Sequence, residues 1–265
     1  MLEVKDLTKH YSLHSGFFAP IGEFVYAVNG VSFQLKRGEI YGLVGESGSG
    51  KTTIARMLVR LVEPTSGKIL YFDQNNSVLD VTQAKNRELK TWRGLARYIF
   101  QDPARSLNPR QTINDILIQA AMYNGQAIKR EQLQERAKDL ILRVGLRIDD
   151  LNRRPADFSG GQRQRISIAR ALMSEPELLI CDEVVSALDV SIQAQILRLL
   201  LELRSSLGLT MIFIAHDLAV VHYLCDRVGV IYEGKMLEEG DPRLILNSPQ
   251  HPYTQRLLAS IPVID

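Results

Sequence analysis

Cysteine is scarce in this chain: Cys181 and Cys225 are the only two among 265 residues. They are too few and wrongly spaced for a zinc site, a redox pair or a disulfide framework, which fits a reducing compartment. Charge of one sign is lacking too. Thirty-two Lys and Arg stand against 30 Asp and Glu, a formal net charge of +2, so no overall field draws the chain to nucleic acid or to an anionic surface. No run of about 18 apolar residues occurs that could span a bilayer. The opening Met1-Leu-Glu-Val-Lys-Asp-Leu7 lacks the apolar core of a signal peptide. Any membrane role is therefore expected to be peripheral. Internal repeats and low-complexity tracts are absent as well. What remains, 45% hydrophobic and 23% charged residues, is the balance of a globular protein with a large core, one domain or two intimate subdomains.

The order of elements carries more information. Leu2, Val4 and Leu7 are spaced for a first strand, and Val28 to Leu35 reads as another before the Arg37-Gly38 turn, which predicts an antiparallel β layer. Ile40-Tyr-Gly-Leu-Val44 is a short apolar run of the kind buried on both faces, followed by a glycine-rich turn and a helix from Lys51 to Leu61. From Asn86 to Leu151 the pattern is mostly helical and polar, read as an inserted helical subdomain. Then come a helix over Gln162 to Ser174, a strand Leu178 to Cys181, a helix Ile192 to Leu207 stopped by Gly208, and a strand Thr210 to Ala215. Helices alternating with buried strands predict an α/β fold with a largely parallel sheet.

Gly45-Glu46-Ser47-Gly48-Ser49-Gly50-Lys51-Thr52 fits G-x-x-x-x-G-K-[ST] and stands between the strand and the helix that this motif requires. Glycines let the loop wrap phosphates closely, and backbone amides with the helix N-terminus offset their charge. Lys51 is expected to reach the β- and γ-phosphates and the Thr52 hydroxyl to ligate magnesium, with Thr53 following in the same turn. A flexible turn is the bland alternative. Asp182 and Glu183 stand where a buried strand ends, the edge at which open α/β sheets bind ligands. Asp182 would hold magnesium through water, and Glu183, aimed differently, would polarise an attacking water as general base. A solvated strand end is the alternative here, and the pair of motifs is far more specific than either alone.

Phe158-Ser159-Gly160-Gly161-Gln162, just upstream of the acidic strand, resembles the signature sequence of ABC ATPases, and the resemblance covers almost the whole chain. It implies a phosphate-loop NTPase (RecA-like) core with the N-terminal antiparallel β layer and inserted helical subdomain of an ABC ATPase. The single domain would divide into a core of residues 1–101 and 165–240, a helical signature subdomain of 102–164 and a tail of 241–265. In the family the signature completes the ATP site of a second subunit, which implies a head-to-tail dimer holding two ATP with Mg2+. On the same grounds Tyr11 resembles the aromatic that stacks on adenine, and Gln101 the loop glutamine that touches magnesium and the attacking water. Ser186-Ala-Leu-Asp189 resembles the loop linking the two sites, and His216 the switch histidine at the γ-phosphate. Two departures from the pattern, Val184-Val185 after the catalytic glutamate and Phe158 before Ser159, remove no catalytic group. Cys181 reads as a small buried hydrophobe.

Three segments resemble the oligopeptide, dipeptide and nickel importer branch: Gly16 to Pro20, Phe100 to Arg110, and His251 to Pro262. That branch implies an ATPase subunit on the cytoplasmic face of the cell membrane, paired with a different ATPase as a heterodimer. It also implies two permease subunits and an extracytoplasmic solute-binding protein. Peptide is the expected cargo, with oligosaccharide, glutathione or nickel as alternatives. Some members carry an iron–sulfur cluster in a longer C-terminal extension; its cysteines are not in this sequence, so no cluster is expected. The basic stretch Lys85 to Arg97 reads as a solvated helix face rather than a nucleic-acid patch. The rival functions, an ABC ATPase acting on DNA or ribosomes and a regulatory module without turnover, fit less well. The first normally needs a long coiled coil or tandem halves, and the second a missing base or switch residue.

Overall fold

The structure, a computed structural model, describes residues 1–12, 24–122 and 129–259. The expected insertion Gly16 to Pro20 and the end of the tail, from 260, lie outside the described residues. In chain order the elements are β1 (Leu2–Ser12), β2 (Phe24–Leu35), β3 (Ile40–Val44), α1 (Lys51–Leu58), β4 (Ser66–Phe72) and β5 (Val78–Asp80). Next come α2 (Asn86–Leu95), β6 (Ala96–Ile99), α3 (Pro103–Ser106), α4 (Ile113–Met122), α5 (Arg130–Arg143), α6 (Gly160–Leu172), β7 (Leu178–Asp182) and α7 (Val190–Leu207). The last are β8 (Thr210–Ala215), α8 (Leu218–Leu224), β9 (Arg227–Tyr232), β10 (Lys235–Gly240), α9 (Pro242–Asn247) and α10 (Pro252–Ala259).

The chain divides into two compact units, one of Met1–Leu89 with Ile212–Asp265 and one of Lys90–Met211. The first holds the antiparallel layer, in the order β2-β1-β4-β5. Alternation explains the burial of Leu2 and Val4 in β1 and of Ile69 and Tyr71 in β4, while a bulge between Val4 and Leu7, where Asp6 takes φ 47°, breaks the alternation and leaves Leu7 buried as well. The same unit carries β3, buried along its whole length, with β9 parallel to it and β10 antiparallel beyond. Arg227 ties this corner: its guanidinium pairs with Glu39 at 3.0 Å and Glu239 at 2.5 Å, and Glu239 also accepts from the Tyr41 hydroxyl at 2.7 Å. Burial and that carboxylate raise the Tyr41 phenol well above its ordinary range.

The second unit holds β6 parallel to β7, and α3 to α6 between them in sequence. Strand β6 falls inside the stretch read as helical. Arg97 is what hides it, since a cation in a strand reads as solvent-facing. Here its guanidinium reaches Ser174 Oγ at 2.6 Å and the Ala120 carbonyl at 3.0 Å, and burial lowers its pKa. Helix α1 also stops three residues earlier than expected, at Leu58. Arg60 takes φ 55°, outside the helical region, and its guanidinium donates to the carbonyls of Val81 and Thr82.

Candidate active site

The glycine-rich loop joins β3 to α1 as its motif requires. Two of its glycines are obligatory on steric grounds. A Cβ at Gly45 would lie 2.0 Å from the Ile231 carbonyl oxygen, and one at Gly50 would lie 2.2 Å from that of Ala27; both residues also have positive φ. Neighbouring backbone thus presses the loop into its curve. Lys51, only 4% exposed, points its ammonium back into that curve and donates to the carbonyls of Gly45 and Glu46, each at 2.7 Å, and to Ser49 Oγ at 3.2 Å. These three acceptors are neutral oxygens, which the oxygens of an anion can replace. Ser49 is buried, Glu46, Ser47 and Gly48 are exposed, and Thr52 and Thr53 in the first turn of α1 are half-buried. The first amides of any helix lack intrahelical acceptors, which suits phosphate.

In the second unit β7 ends on Asp182, which is 4% exposed and accepts from the Tyr98 hydroxyl of β6. Glu183 follows with φ 49°, a left-handed backbone rare for a residue with a long side chain. The two carboxylates have different partners, since Gln101 Nε2 donates to Glu183 Oε2 at 2.7 Å. Ser186 Oγ donates to the Glu183 carbonyl at 3.0 Å. Gln193 Nε2 holds the segment between, donating to the carbonyls of Val185 at 2.9 Å and Leu188 at 3.1 Å. Val184 and Val185 are buried, so these apolar replacements serve as packing. Asp189 is exposed at the N-cap of α7.

Ser159 caps α6 in a reciprocal box: its Oγ accepts from the Gln162 amide at 3.3 Å, and Gln162 Oε1 accepts from the Ser159 amide at 3.0 Å. The two glycines differ. A Cβ at Gly161 would meet Ile192 Cγ2 at 2.6 Å, whereas one at Gly160 would find its nearest neighbour, Leu188, at 3.8 Å. Helix packing explains Gly161 and leaves Gly160 without a packing reason. Phe158 is buried beneath the Arg153 guanidinium, 4.4 Å from its ring centroid, a contact leucine could not make.

In the first unit, Tyr11 is 45% exposed near the end of β1, with Lys9 Nζ 5.1 Å from its ring centroid. His216 is exposed after β8, just before Asp217, whose carboxylate accepts from the Ala219 amide at 2.8 Å and caps α8. The structure thus brings Lys51 together with Gly45, Glu46 and Ser49, and Glu183 with Gln101 and Ser186. Three positioning residues were missed in the sequence: Tyr98, Gln193 and Tyr253, whose hydroxyl accepts from the Glu46 amide at 3.0 Å. Tyr98 and Gln193 lie in no motif, Tyr253 lies in the segment His251 to Pro262 with no role of its own read from it, and the Tyr98 and Tyr253 contacts join residues 84 and 207 positions apart.

The fold and these residues define a phosphate-loop ATPase. The chain belongs to the ABC transporter family, whose sequence pattern matches residues 28–186. It is 48% identical over 263 residues to the oligopeptide transport ATP-binding protein AppF of Bacillus subtilis, covering 99% of this chain and 78% of that one. It is 44% identical over 262 residues to the dipeptide transport ATP-binding protein DppF of Escherichia coli, covering 99% and 76%. Among solved structures, the dimeric, ADP- and Pi-bound ATP-binding cassette MJ0796 shares a TM-score of 0.78 at 28% identity, over 92% of this chain and 99% of that one. The chain is an ATP-binding, ATP-hydrolysing cassette of that family.

Proposed function

We propose that this ATPase powers import of oligopeptides or dipeptides from the cytoplasmic face of the cell membrane. It would act beside a second, different ABC ATPase and two permease subunits fed by a solute-binding protein. The observation that carries the catalytic part is the Gln101–Glu183 hydrogen bond, which holds a candidate base at a fixed angle on a strained backbone. The cargo reading is supported by identity of 44% to 48% across nearly the whole chain with relatives named for dipeptide and oligopeptide transport. Among the described residues no helix is long and apolar enough to cross a membrane, so the pore would belong to the permeases.

In this reading the loop Gly45 to Thr53, through amides other than the Glu46 amide held by Tyr253, and the Lys51 ammonium receive the phosphates, Lys51 exchanging its carbonyl partners for phosphate oxygens. Tyr11 stacks on adenine. The Thr52 hydroxyl, the Gln101 side chain and the buried Asp182 carboxylate are hard oxygen donors of the kind magnesium takes alongside nucleotide phosphates, and they fit that ion. The ion would supply charge neutralisation on the transferred phosphoryl group. Glu183 takes the proton of the attacking water, and His216 orients that water at the γ-phosphate. Ser159, Gly160, Gly161, Gln162 and Asp189 serve the nucleotide of the partner ATPase; the room for a Cβ at Gly160, at ordinary contact distance from Leu188, supports this, because packing does not require that glycine. The functional division proposed is a core of residues 1–101 and 165–240, a helical subdomain of 102–164 and a tail of 241–265. ATP binding more tightly to the closed pair than to the open one is what drives closure.

The test is reconstitution with candidate permeases and the second ATPase, measuring ATP turnover with and without solute-binding proteins loaded with peptide, sugar, glutathione or nickel. Stimulation by the peptide-loaded protein is expected. Stimulation only by another cargo overturns the peptide assignment, and failure of permeases to associate overturns the transport reading.

A further inference from the structure

The tail segment around α10 is seated by a chain of specific contacts. The Glu238 carboxylate of β10 accepts from the amides of Gln250 at 3.0 Å and His251 at 3.2 Å. His251 Nδ1 then accepts from the Tyr253 amide at 3.1 Å, setting the first turn of α10. Tyr253 is only 2% exposed, its ring 4.2 Å from that of Tyr232 at the end of β9. From this socket its hydroxyl accepts the Glu46 amide of the glycine-rich loop. A second anchor lies nearby: the Gly234 amide, in the β9–β10 turn, donates to the Ser49 carbonyl at 2.9 Å, and the Gly234 carbonyl accepts from Asn29 at 2.7 Å.

We propose that Tyr253 is a positioning residue of the nucleotide site, whose hydroxyl holds the phosphate loop in its binding shape and makes the C-terminal tail a working part of the ATPase. The proposal rests on the reading that Gly45 to Thr52 receives ATP. Its force comes from what happens to the other anchors. The three Lys51 contacts close the loop on itself, and they are given up when the ammonium turns to phosphate. The Tyr253 and Gly234 bonds lie outside that exchange and persist through it. Loss of the Tyr253 hydroxyl therefore weakens the nucleotide-bound form more than the free one, because the free loop still has Lys51.

Tyr253→Phe keeps the ring and its packing and removes the hydroxyl, and with it the acceptor of the Glu46 amide. The wild-type chain and this variant are titrated with fluorescent N-methylanthraniloyl-ATP and Mg2+. Their nucleotide-free melting temperatures and the hydrogen exchange of loop peptides covering residues 45–50 are measured in parallel. The expected result is a Kd raised about threefold to tenfold, the size of one hydrogen bond, with faster exchange in the loop and an unchanged melting temperature. Affinity unchanged within about twofold, or lost in step with melting temperature, overturns the proposal while leaving the ATP reading intact. A wild-type chain that fails to bind the nucleotide overturns the ATP reading and this proposal with it.

Discussion

Gln101 and Glu183, 82 residues apart in sequence, meet through one hydrogen bond of 2.7 Å from the amide nitrogen to the carboxylate. Replacing Glu183 with Gln keeps the shape and leaves Gln101 an oxygen to bond, but removes the base. Phosphate release is expected to fall by about 100-fold or more, the usual contribution of a positioned base, while ATP affinity is preserved. Hydrolysis at the parental rate would remove Glu183 from the catalytic role.

Tyr98→Phe takes from the buried Asp182 carboxylate a hydroxyl donor and leaves the ring contact with Phe100, at 4.7 Å, in place. A hydrogen bond to a charged group contributes about 1.5–3 kcal/mol, so urea unfolding should show a loss of that order. Magnesium-dependent nucleotide binding should weaken along with it. A variant as stable as the parent would mean that Asp182 is held by its other contacts.

Asp150 offers a pH signature. Its carboxylate accepts from the Arg147 amide at 2.9 Å and pairs with Arg153 at 2.8 Å; the amide chiefly, and the guanidinium with it, hold its pKa below the ordinary value. A depressed folded pKa adds stability that is fully present above the unfolded value and is lost as pH falls through the folded one. The stability gap between the wild type and Asp150→Asn should therefore be widest near neutrality and close below about pH 4, the ordinary Asp range. A gap independent of pH in thermal melts would refute the assignment.

Local chemistry made the phosphate loop, the acidic strand end and the strands β3, β7 and β8 legible, because each is a contiguous run whose residue types suit one job. The signature run Phe158 to Gln162 was legible for the same reason, whereas the reciprocal box between Ser159 and Gln162 came from the structure. What stayed hidden depends on distant partners. Arg97 disguised β6 because its acceptors, Ser174 and Ala120, lie far along the chain. Strands β4, β5, β9 and β10 went unread, and in β4 and β10 lysines and glutamates interrupt the apolar alternation. Tyr253 looked like one more residue of a branch-specific tail until its hydroxyl was seen on the Glu46 amide. Nothing in the letters Cys-Asp-Glu announces that Glu183 takes φ 49°.

That backbone angle separates two kinds of selection. Glycine and asparagine adopt a left-handed conformation more cheaply than glutamate, a difference of about 1 kcal/mol or more at such positions. A library randomised at position 183 and sorted only for soluble, folded protein should drift toward those two residues. The same library sorted for growth on the transported cargo should return glutamate. Disagreement between the two outcomes at a single codon would mark Glu183 as a residue kept by its work and against the preference of its own backbone.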